Sequence, residues 1–326
     1  MRTFKRIYLL GISTFIILLL GNCTKENATN DQKPAIANSS QSEMVLTPAG
    51  FMEKSKVHFI AEGFSLNVAN GRLQKIESAT GKMVEDFGAV EFDQRLSMNN
   101  KRDASRFADN RFPAAASGWI AYAYWSNPTT SNPITYFTTN WVVPTAPTSQ
   151  GSQTLFLFNG MQDGTTSTSY IIQPVLQWGP SAAGGGKYWA VTNWYVSSSQ
   201  AFYGSLVTVS AGASLQGVMQ ETAHSGSNYS YSSSFVGYSS ASSLKVSNVP
   251  EAFWAAETLE SYGVTNTNTQ YPPNVDVAMK SIQILQGTSN AAIKWTATDA
   301  SRNAAQKATV VSNSSPNGEV DIYFRK

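Results

Sequence analysis

The sequence predicts an all-β protein whose sheets pack face to face as a sandwich or jelly roll. Apolar residues alternate with polar ones or fill short runs, turn residues separate these runs, and no segment keeps the 3.6-residue period of a long helix. Residues 119–125 show such alternation, and the Leu-Phe-Leu-Phe at 155–158 is typical of a strand that is buried on both faces. Many short strands separated by Gly, Pro and Asn turns favour two packed sheets over other architectures.

Further strands follow from the same patterns. Residues 206–219 have the pattern of a β-hairpin, and residues 275–285, 292–297 and 320–324 read as additional strands. The Ser-rich stretch at 225–243 contains four aromatic residues. We interpret it as strands with one polar face, with a linker as the alternative.

The N-terminus has the pattern of a bacterial lipoprotein signal. Three basic residues in the first six positions precede an apolar run at 7–20, which is shorter than the roughly 20 residues that a membrane span needs. The Leu-Gly-Asn-Cys at 20–23 resembles a lipobox, in which the cysteine is lipidated and becomes the new N-terminus. We expect Cys23 to anchor the protein to the outer membrane of the cell envelope, and the following Lys-Glu favours the cell surface. An ordinary cleaved secretion signal is the alternative.

The distribution of charge predicts the domain organisation. Residues 24–112 contain 12 acidic and 12 basic residues, whereas the much longer stretch 113–326 contains 9 and 8. We predict a signal peptide at 1–22, a disordered tether at 23–43, a small β-containing region at 44–112, and the β-sandwich domain at 113–326. The region at 44–112 reads as a propeptide or a stalk.

The inventory of reactive side chains excludes several classes of function. Cys23 is the only cysteine and there are two histidines, so we expect no internal disulfide, no metal site and no other cofactor. The net charge of +2 does not suit a nucleic-acid-binding protein. His224 lies in a Ser/Gly-rich context without a nucleophile elbow, which favours a solvated loop over a catalytic triad. We expect a monomer.

Two segments place polar groups on largely apolar strands. Residues 170–179 carry Gln173 and Gln177, which alternate onto the same face, and residues 252–260 carry Glu257 and Glu260. A buried polar group without a partner costs roughly 1–3 kcal/mol. Functional sites are one place where proteins tolerate that cost, so these segments are candidates for the site.

The ordered set of strand motifs at 117–285 resembles the eqolisins, the family of glutamic peptidases that includes scytalidoglutamic peptidase. The family's Asn-Trp-Ala-Gly-Tyr, Trp-Thr-Val-Pro and Trp-Val-Gly-Ile-Asp-Gly motifs are similar to Gly-Trp-Ile-Ala-Tyr at 118–122, Trp-Val-Val-Pro at 141–144 and Phe-Asn-Gly-Met-Gln-Asp-Gly at 158–164. The family's Ile-Leu-Gln-Thr-Gly, with a Trp five residues after the Gln, resembles Ile-Ile-Gln at 171–173 with Trp178. Two later motifs, Trp-Tyr-Glu-Trp-Tyr-Pro and Ala-Glu-Phe/Trp-Ile-Ile/Val-Glu, resemble Val-Thr-Asn-Trp-Tyr-Val at 191–196 and Ala-Phe-Trp-Ala-Ala-Glu at 252–257. The chain departs from the pattern at Pro174, Asn193 and Phe253.

The resemblance implies a concanavalin A-like, two-sheet β-sandwich and a secreted endopeptidase without metal or cofactor. Glu257 would be the general base that activates a water molecule, and Gln173 would stabilise the oxyanion, with Gln177 as the rival for this second role. Trp178, Asn193 and Trp194 would line the groove that binds a protein or peptide substrate. The region at 44–112 would be a propeptide that covers this groove. This reading requires Gln173 and Glu257 to meet on one sheet face.

Two other classes of function stay open. The first is a non-catalytic, lectin-like module that binds carbohydrate or acts as an adhesin, for which Trp and Tyr side chains would form platforms for sugar rings. The second is a glycan-cleaving jelly roll that uses two carboxylates, with Glu257 paired with Glu251 or Glu260.

Overall fold

The computed structural model describes residues 42–90, 118–129, 132–164, 170–197, 199–299 and 305–325. Within these ranges almost all of the regular secondary structure is strand, which confirms the predicted all-β class. The N-terminal strands are β1 (Met44–Thr47), β2 (Gly50–Glu53), β3 (Val57–Phe59), β4 (Phe64–Ala69), β5 (Arg72–Glu77) and β6 (Met83–Ala89). The others are β7 (Gly118–Ser126), β8 (Ile134–Val142), β9 (Thr154–Gln162), β10 (Tyr170–Trp178), β11 (Trp189–Ser197), β12 (Ala201–Tyr203), β13 (Val207–Val209), β14 (Ser214–Ser225), β15 (Asn228–Phe235), β16 (Leu244–Val249), β17 (Trp254–Tyr262), β18 (Asp276–Gln286), β19 (Ser289–Asn290), β20 (Thr296–Asp299), β21 (Lys307–Ser312) and β22 (Gly318–Tyr323).

Two large sheets organise these strands. The first sheet has the order β20-β7-β17-β9-β10-β11-β12-β3, with β13 also paired to β11. The second sheet has the order β21-β22-β18-β8-β14-β15-β16-β4-β5-β6, with β19 also paired to β18. A small hairpin of β1 and β2 forms a separate two-stranded sheet. The prediction of a two-sheet sandwich is therefore confirmed.

Strands β9, β10, β11 and β17 are buried along their whole length. One core cluster joins the two sheets and includes Leu157 and Leu176 from the first and Phe137 and Met219 from the second. A second cluster, which includes Trp194, lies on the other side of the first sheet. We call the side of the first sheet that packs against the second sheet its inner face, and the opposite side its outer face.

The Ser-rich stretch at 225–243 contains β15, as the alternation of polar and aromatic residues predicted. Tyr229, Tyr231 and Phe235 are buried together with Ser233, whereas the residues that alternate with them are half-buried. The aromatic side chains pack into the core between the sheets. The interpretation as strands with one polar face is therefore confirmed over this segment.

The N-terminal strands join both sheets. Strand β3 pairs in parallel with β12 at the edge of the first sheet, and β4 pairs in parallel with β16 in the second. Strands β5 and β6 extend the second sheet beyond β4. The predicted boundary between residues 112 and 113 lies outside the described residues and stays a prediction, as do the signal peptide and the tether.

Helical structure is minor in the described ranges. One short helix, α1 (Thr267–Gln270), follows β17 and begins with an Asn266 side chain that accepts a hydrogen bond from the Asn268 amide. None of the described helices has the length and apolar character that crossing a membrane requires.

Candidate functional site

The register of four neighbouring strands in the first sheet fixes which way each predicted site residue points. Residues opposite each other on adjacent antiparallel strands project from the same face, and successive residues along a strand alternate between faces. Glu257 lies opposite Asn159 on β9, and the row continues through Pro174 on β10 to Asn193 on β11. Gln173 belongs to the next row, which contains Ala256, Gly160 and Trp194.

The structure places Gln173 and Glu257 on opposite faces of the sheet, so the expectation that they meet is wrong. Ile171 and Val175, which flank Gln173 on its own face, belong to the outer-face cluster. Ala255 and Leu259, which flank Glu257 in the same way, belong to the core between the sheets. These two side chains cannot share a water molecule, because the sheet itself separates them.

Glu257 is a buried acid between the two sheets. It is fully buried, and its Oε1 atom accepts a hydrogen bond from the hydroxyl of Thr139 on β8 of the second sheet. Burial raises the pKa of Glu257 well above its ordinary value, and the hydrogen bond from Thr139 opposes this shift only in part. Burial therefore favours the protonated form of Glu257, which links the two sheets, and this position does not suit a groove.

Two of the predicted groove residues also lie on the inner face. Asn193 donates from Nδ2 to the Ser242 carbonyl at 2.8 Å and accepts from the Ser233 hydroxyl at 2.5 Å. Trp178 packs against Trp189 in the core, with ring centroids 5.4 Å apart. Both residues therefore stabilise the packing between the sheets and do not line a groove with Trp194.

The outer face brings together a different acid and amide. Glu260 on β17 and Gln177 on β10 both lie opposite Phe156 on β9, one on each side of it. Strands in a sheet are spaced by about 4.8 Å, so the Cα atoms of Glu260 and Gln177 are about 10 Å apart. Each residue is 1% exposed. A molecule bound over Phe156 would lie within reach of both side chains.

Glu260 is oriented by a tyrosine on its own strand. The hydroxyl of Tyr262 donates to Oε1 of Glu260 at 2.5 Å. Burial raises the pKa of Tyr262 well above its ordinary value, and the charge of Glu260 adds to this shift. Tyr262 thus keeps its proton and acts as a hydrogen-bond donor to the carboxylate at every physiological pH.

Gln177 is held by the loop that follows β10. Its Nε2 atom donates to the carbonyls of Gly179 at 2.7 Å and Gly184 at 2.9 Å, and its Oε1 atom accepts from the Ser181 hydroxyl at 2.8 Å. A Cβ atom at Gly185, which has a φ of +105°, would lie 2.4 Å from Nε2 of Gln177. The glycine run at 184–186 therefore allows this loop to pack closely on the amide.

The hairpin of β1 and β2 lies against the same end of the outer face. Leu46 belongs to the outer-face cluster, and its carbonyl accepts a hydrogen bond from the Ala182 amide at 2.8 Å. The ring of Phe51 packs edge-to-face on Tyr262, with centroids 6.4 Å apart. The hairpin thus contacts both the tyrosine that orients Glu260 and the loop that holds Gln177.

A second alignment of the same family motifs falls on Gln177 and Glu260. The Val-Leu-Gln-Trp-Gly at 175–179 keeps the Gly two residues after Gln177, as in the family's Ile-Leu-Gln-Thr-Gly, whereas Gln173 lacks it. The Ala-Glu-Thr-Leu-Glu at 256–260 ends in Glu260 and is one residue shorter than the family's Ala-Glu-Phe/Trp-Ile-Ile/Val-Glu. The two alignments of the motifs differ in the faces that their residues occupy. The sheet register places Glu260 and Gln177 on one face, and Glu257 and Gln173 on opposite faces.

The remaining predicted positions are placed as follows. Trp194 lies on the outer face next to Gln173 and is fully buried, and its role in a groove stays a prediction. Cys23 lies outside the described residues. Across the described ranges no three His, Cys, Asp or Glu side chains are grouped as a metal site requires.

Comparison with known proteins gives only distant structural similarities. No protein-family model and no curated protein matches the sequence. The structure is similar to "Crystal structure of Scytalido-glutamic peptidase with a peptide based transition state analog", with a TM-score of 0.40, 15% identity, and coverage of 64% of this chain and 98% of that chain. It is also similar to "Structure of SCP-B a member of the Eqolisin family of Peptidases in a complex with a Tripeptide Ala-Ile-His", with a TM-score of 0.36, 15% identity and the same coverage. Similarity at this level does not by itself transfer an activity.

Proposed function

We propose that this chain is an envelope-anchored endopeptidase of the glutamic type, with Glu260 as the general base and Gln177 as the group that stabilises the oxyanion. One observation carries the proposal: Glu260 and Gln177 share one face and one cross-strand row, on the two strands that flank β9, and both are buried. An acid and an amide positioned on rigid strands suit acyl-transfer chemistry. The substrate class is a protein or peptide.

The reaction needs only these two side chains and a water molecule. The carboxylate of Glu260 takes a proton from the water molecule while the water oxygen attacks the peptide carbonyl carbon. When the peptide C–N bond then breaks, Glu260 gives this proton to the departing amine. The amide N–H of Gln177 donates to the oxyanion that forms on the carbonyl oxygen. The hydrogen bond from Tyr262 orients the Glu260 carboxylate during both steps.

The described state has the features of a latent form. Both N–H groups of Gln177 are bonded to the carbonyls of Gly179 and Gly184, so one of these bonds has to open before the amide can stabilise an oxyanion. The β1–β2 hairpin packs on the same end of the face through Leu46 and Phe51. We infer that release of the hairpin opens the site and that the Gly184 carbonyl gives way to the substrate.

A non-catalytic binding module is the competing function, and one observation favours it. An amide whose N–H groups are both satisfied by the backbone reads equally as a structural anchor for the 179–186 loop. In that case the aromatic residues of the outer face would bind a glycan or a protein partner without cleaving it. The two-carboxylate alternative loses its closest pair, because Glu257 and Glu260 project from opposite faces.

The proposal is tested with residues 24–326 in parent form and with Leu46→Asp, which opposes the packing of the hairpin. Denatured casein is incubated with each protein from about pH 2 to 7, a range that spans the titration of carboxyl groups, and fragments are followed by mass spectrometry. Cleavage by the Leu46→Asp protein, with less or none by the parent, supports a latent peptidase. Absence of cleavage by both folded proteins contradicts the proposal and favours the binding module.

A further inference from the structure

Gln173 is a fully buried amide that the proposed catalytic pair does not use. Among the described residues neither its Oε1 nor its Nε2 atom has a hydrogen-bond partner, although it is 0% exposed. Burial of an unbonded amide costs free energy, and such groups are rare in folded proteins. The position therefore requires an explanation other than stability.

The neighbours of Gln173 in its cross-strand row are small on one side and large on the other. On one side the row continues to Gly160 on β9 and Ala256 on β17, which are the two smallest kinds of side chain. On the other side it reaches Trp194 on β11. The side chains of Ile171 and Phe158 pack over Gly160, so the outer face is closed around the amide in this structure.

Aromatic pairs lie on both sides of this row. Trp194 packs with Tyr203, with ring centroids 5.1 Å apart, and Tyr124 stacks on Trp254 at 5.4 Å. Three strand spacings of about 4.8 Å separate β17, which carries Trp254, from β11, which carries Trp194, so the two pairs face each other across roughly 14 Å. A space of this width is enough for an extended chain once the side chains between the pairs move apart.

Gln173 and Gln177 lie on the same face of one strand, four residues apart. At about 3.3 Å per residue their Cα atoms are about 13 Å apart, a distance that an extended peptide covers with about four residues. An amide offers one acceptor and two donor hydrogens, which complements the C=O and N–H groups of a peptide main chain. The proposed subsite thus matches the geometry of a peptide that continues from the catalytic pair.

We propose that Gln173 is a substrate-positioning residue whose amide binds the main chain of a peptide substrate about four residues from the bond that is cut. This inference rests on the proposed function, because the spacing is counted from Gln177. The row is buried in the described state, so a substrate reaches it only after the outer face opens. The amide is kept without a partner in the closed state because its partner is the substrate.

A binding experiment tests the subsite independently of catalysis. The full mature chain carries Leu46→Asp to oppose hairpin packing and Glu260→Gln to prevent cleavage. Fluorescence anisotropy then measures Kd for fluorescein-labelled Ala-Ser peptides of about twelve and about four residues. Adding Gln173→Leu should weaken binding of the long peptide about tenfold, a loss of one main-chain contact of about 1.4 kcal/mol. The short peptide should bind equally to both proteins.

Folding and repacking are controlled in the same series. Gln173→Leu replaces an unbonded amide with an apolar side chain, so it should unfold at the same temperature as its parent or higher. Leu176→Val changes the volume of the inner face of the same strand, away from the proposed subsite, and should leave both Kd values unchanged. Equal weakening of the long and the short peptide by Gln173→Leu, or weakening by Leu176→Val as well, overturns the proposal in favour of a structural role.

A kinetic experiment separates the subsite from the proposed activity. In the Leu46→Asp protein, Gln173→Leu should raise KM for long peptides about tenfold with kcat unchanged, because it removes binding that ground state and transition state share. Hydrolysis without any length-dependent effect of Gln173→Leu overturns the subsite and leaves the peptidase standing. If the protein does not hydrolyse peptides but binds them in a way that depends on Gln173, the peptidase proposal is overturned and the subsite stands. Gln173-dependent binding of chitohexaose without peptide binding overturns both.

Discussion

Glu260 and Gln177 flank Phe156 in one cross-strand row on the outer face of the first sheet. This relationship puts an acid and an amide on strands that are buried along their whole length, so their positions are rigid. The Tyr262 hydroxyl orients the acid, and the 179–184 loop holds the amide. The hairpin of β1 and β2 contacts both supports, which ties the N-terminal segment to the proposed activity.

Release of the hairpin should activate the protein. Leu46→Asp places a charge in an apolar cluster, where Leu46 is only 8% exposed, so the hairpin should detach. We expect hydrolysis of casein to rise at least about tenfold over the parent (about 1.4 kcal/mol of barrier), with faster amide hydrogen exchange in β1 and β2. Met44→Asp on the same strand is the control, because Met44 is 38% exposed and should tolerate the charge. Hairpin release without any gain in hydrolysis would contradict the latent-form account.

The buried acid between the sheets should make stability depend on pH. Burial raises the pKa of Glu257 in the folded state from its ordinary value of 4.5, so the folded state holds its proton more tightly than the unfolded state does. The contribution of protonated Glu257 to the free energy of unfolding is fully present below about pH 4.5. This contribution is lost as pH rises toward and through the pKa of Glu257 in the folded state. Each pH unit in that window should lower the free energy of unfolding by up to about 1.4 kcal/mol.

Urea unfolding of the parent and Glu257→Gln between about pH 4 and 8 measures this effect, since only the parent titrates at this position. The variant should lose less stability than the parent as pH rises, because its amide keeps the acceptor for Thr139 and cannot ionise. Glu85→Gln on β6 is the control for the chemical change itself, because Glu85 is exposed and its replacement should change the free energy of unfolding by less than about 0.5 kcal/mol. Parallel profiles for the parent and Glu257→Gln would show that Glu257 does not titrate as its burial requires.

The close approach of the sheets at Gly217 should tolerate no added side chain. A Cβ atom there would lie 2.5 Å from Oδ1 of Asn159, 2.8 Å from Cγ of Pro174 and 2.9 Å from Cη2 of Trp141. We expect Gly217→Ala to lower the free energy of unfolding by about 1–3 kcal/mol, the usual cost of overpacking a core. Gln220→Ala on the same strand should change it by less than about 0.5 kcal/mol, since Gln220 is exposed. A neutral Gly217→Ala would mean that the sheets separate more easily than this packing implies.

The membrane anchor predicted from the N-terminus is tested by cell fractionation. In a bacterial host the parent should partition with the membranes, and Cys23→Ser should move the protein to the soluble fraction, because the predicted site of lipid attachment is the only cysteine. Asn22→Gly brings the lipobox closer to its usual pattern and should keep the protein with the membranes. Membrane partition of Cys23→Ser would contradict lipid anchoring.

Much of the fold follows directly from the sequence. Period-two alternation and the continuous apolar runs predict the strands, and the aromatic content predicts the core between two sheets. The parallel pairing of β3 with β12 and of β4 with β16 could not be predicted, because it joins segments that are more than a hundred residues apart and leaves no local pattern.

The proposed site lies on the two strands that the sequence analysis selected, but on other residues of those strands. A motif shifted by four residues keeps an amide on the same face, so Gln173 and Gln177 were both compatible with the outer face. A shift of three residues moves an acid to the other face, which is the difference between Glu257 and Glu260. Similarity to a short motif does not determine which face of the strand a residue occupies, whereas the pairing register across β9 does.

The most direct test of the account compares Glu260→Gln with Glu257→Gln in the Leu46→Asp protein. Both substitutions remove one ionisable group from the same strand, so they are matched in chemistry and differ in the face that they occupy. The account predicts that Glu260→Gln lowers kcat for casein peptides by at least about a thousandfold (about 4 kcal/mol of barrier), whereas Glu257→Gln keeps kcat within about threefold. The reverse result, with activity lost in Glu257→Gln and kept in Glu260→Gln, would contradict the assignment of the site to the outer face.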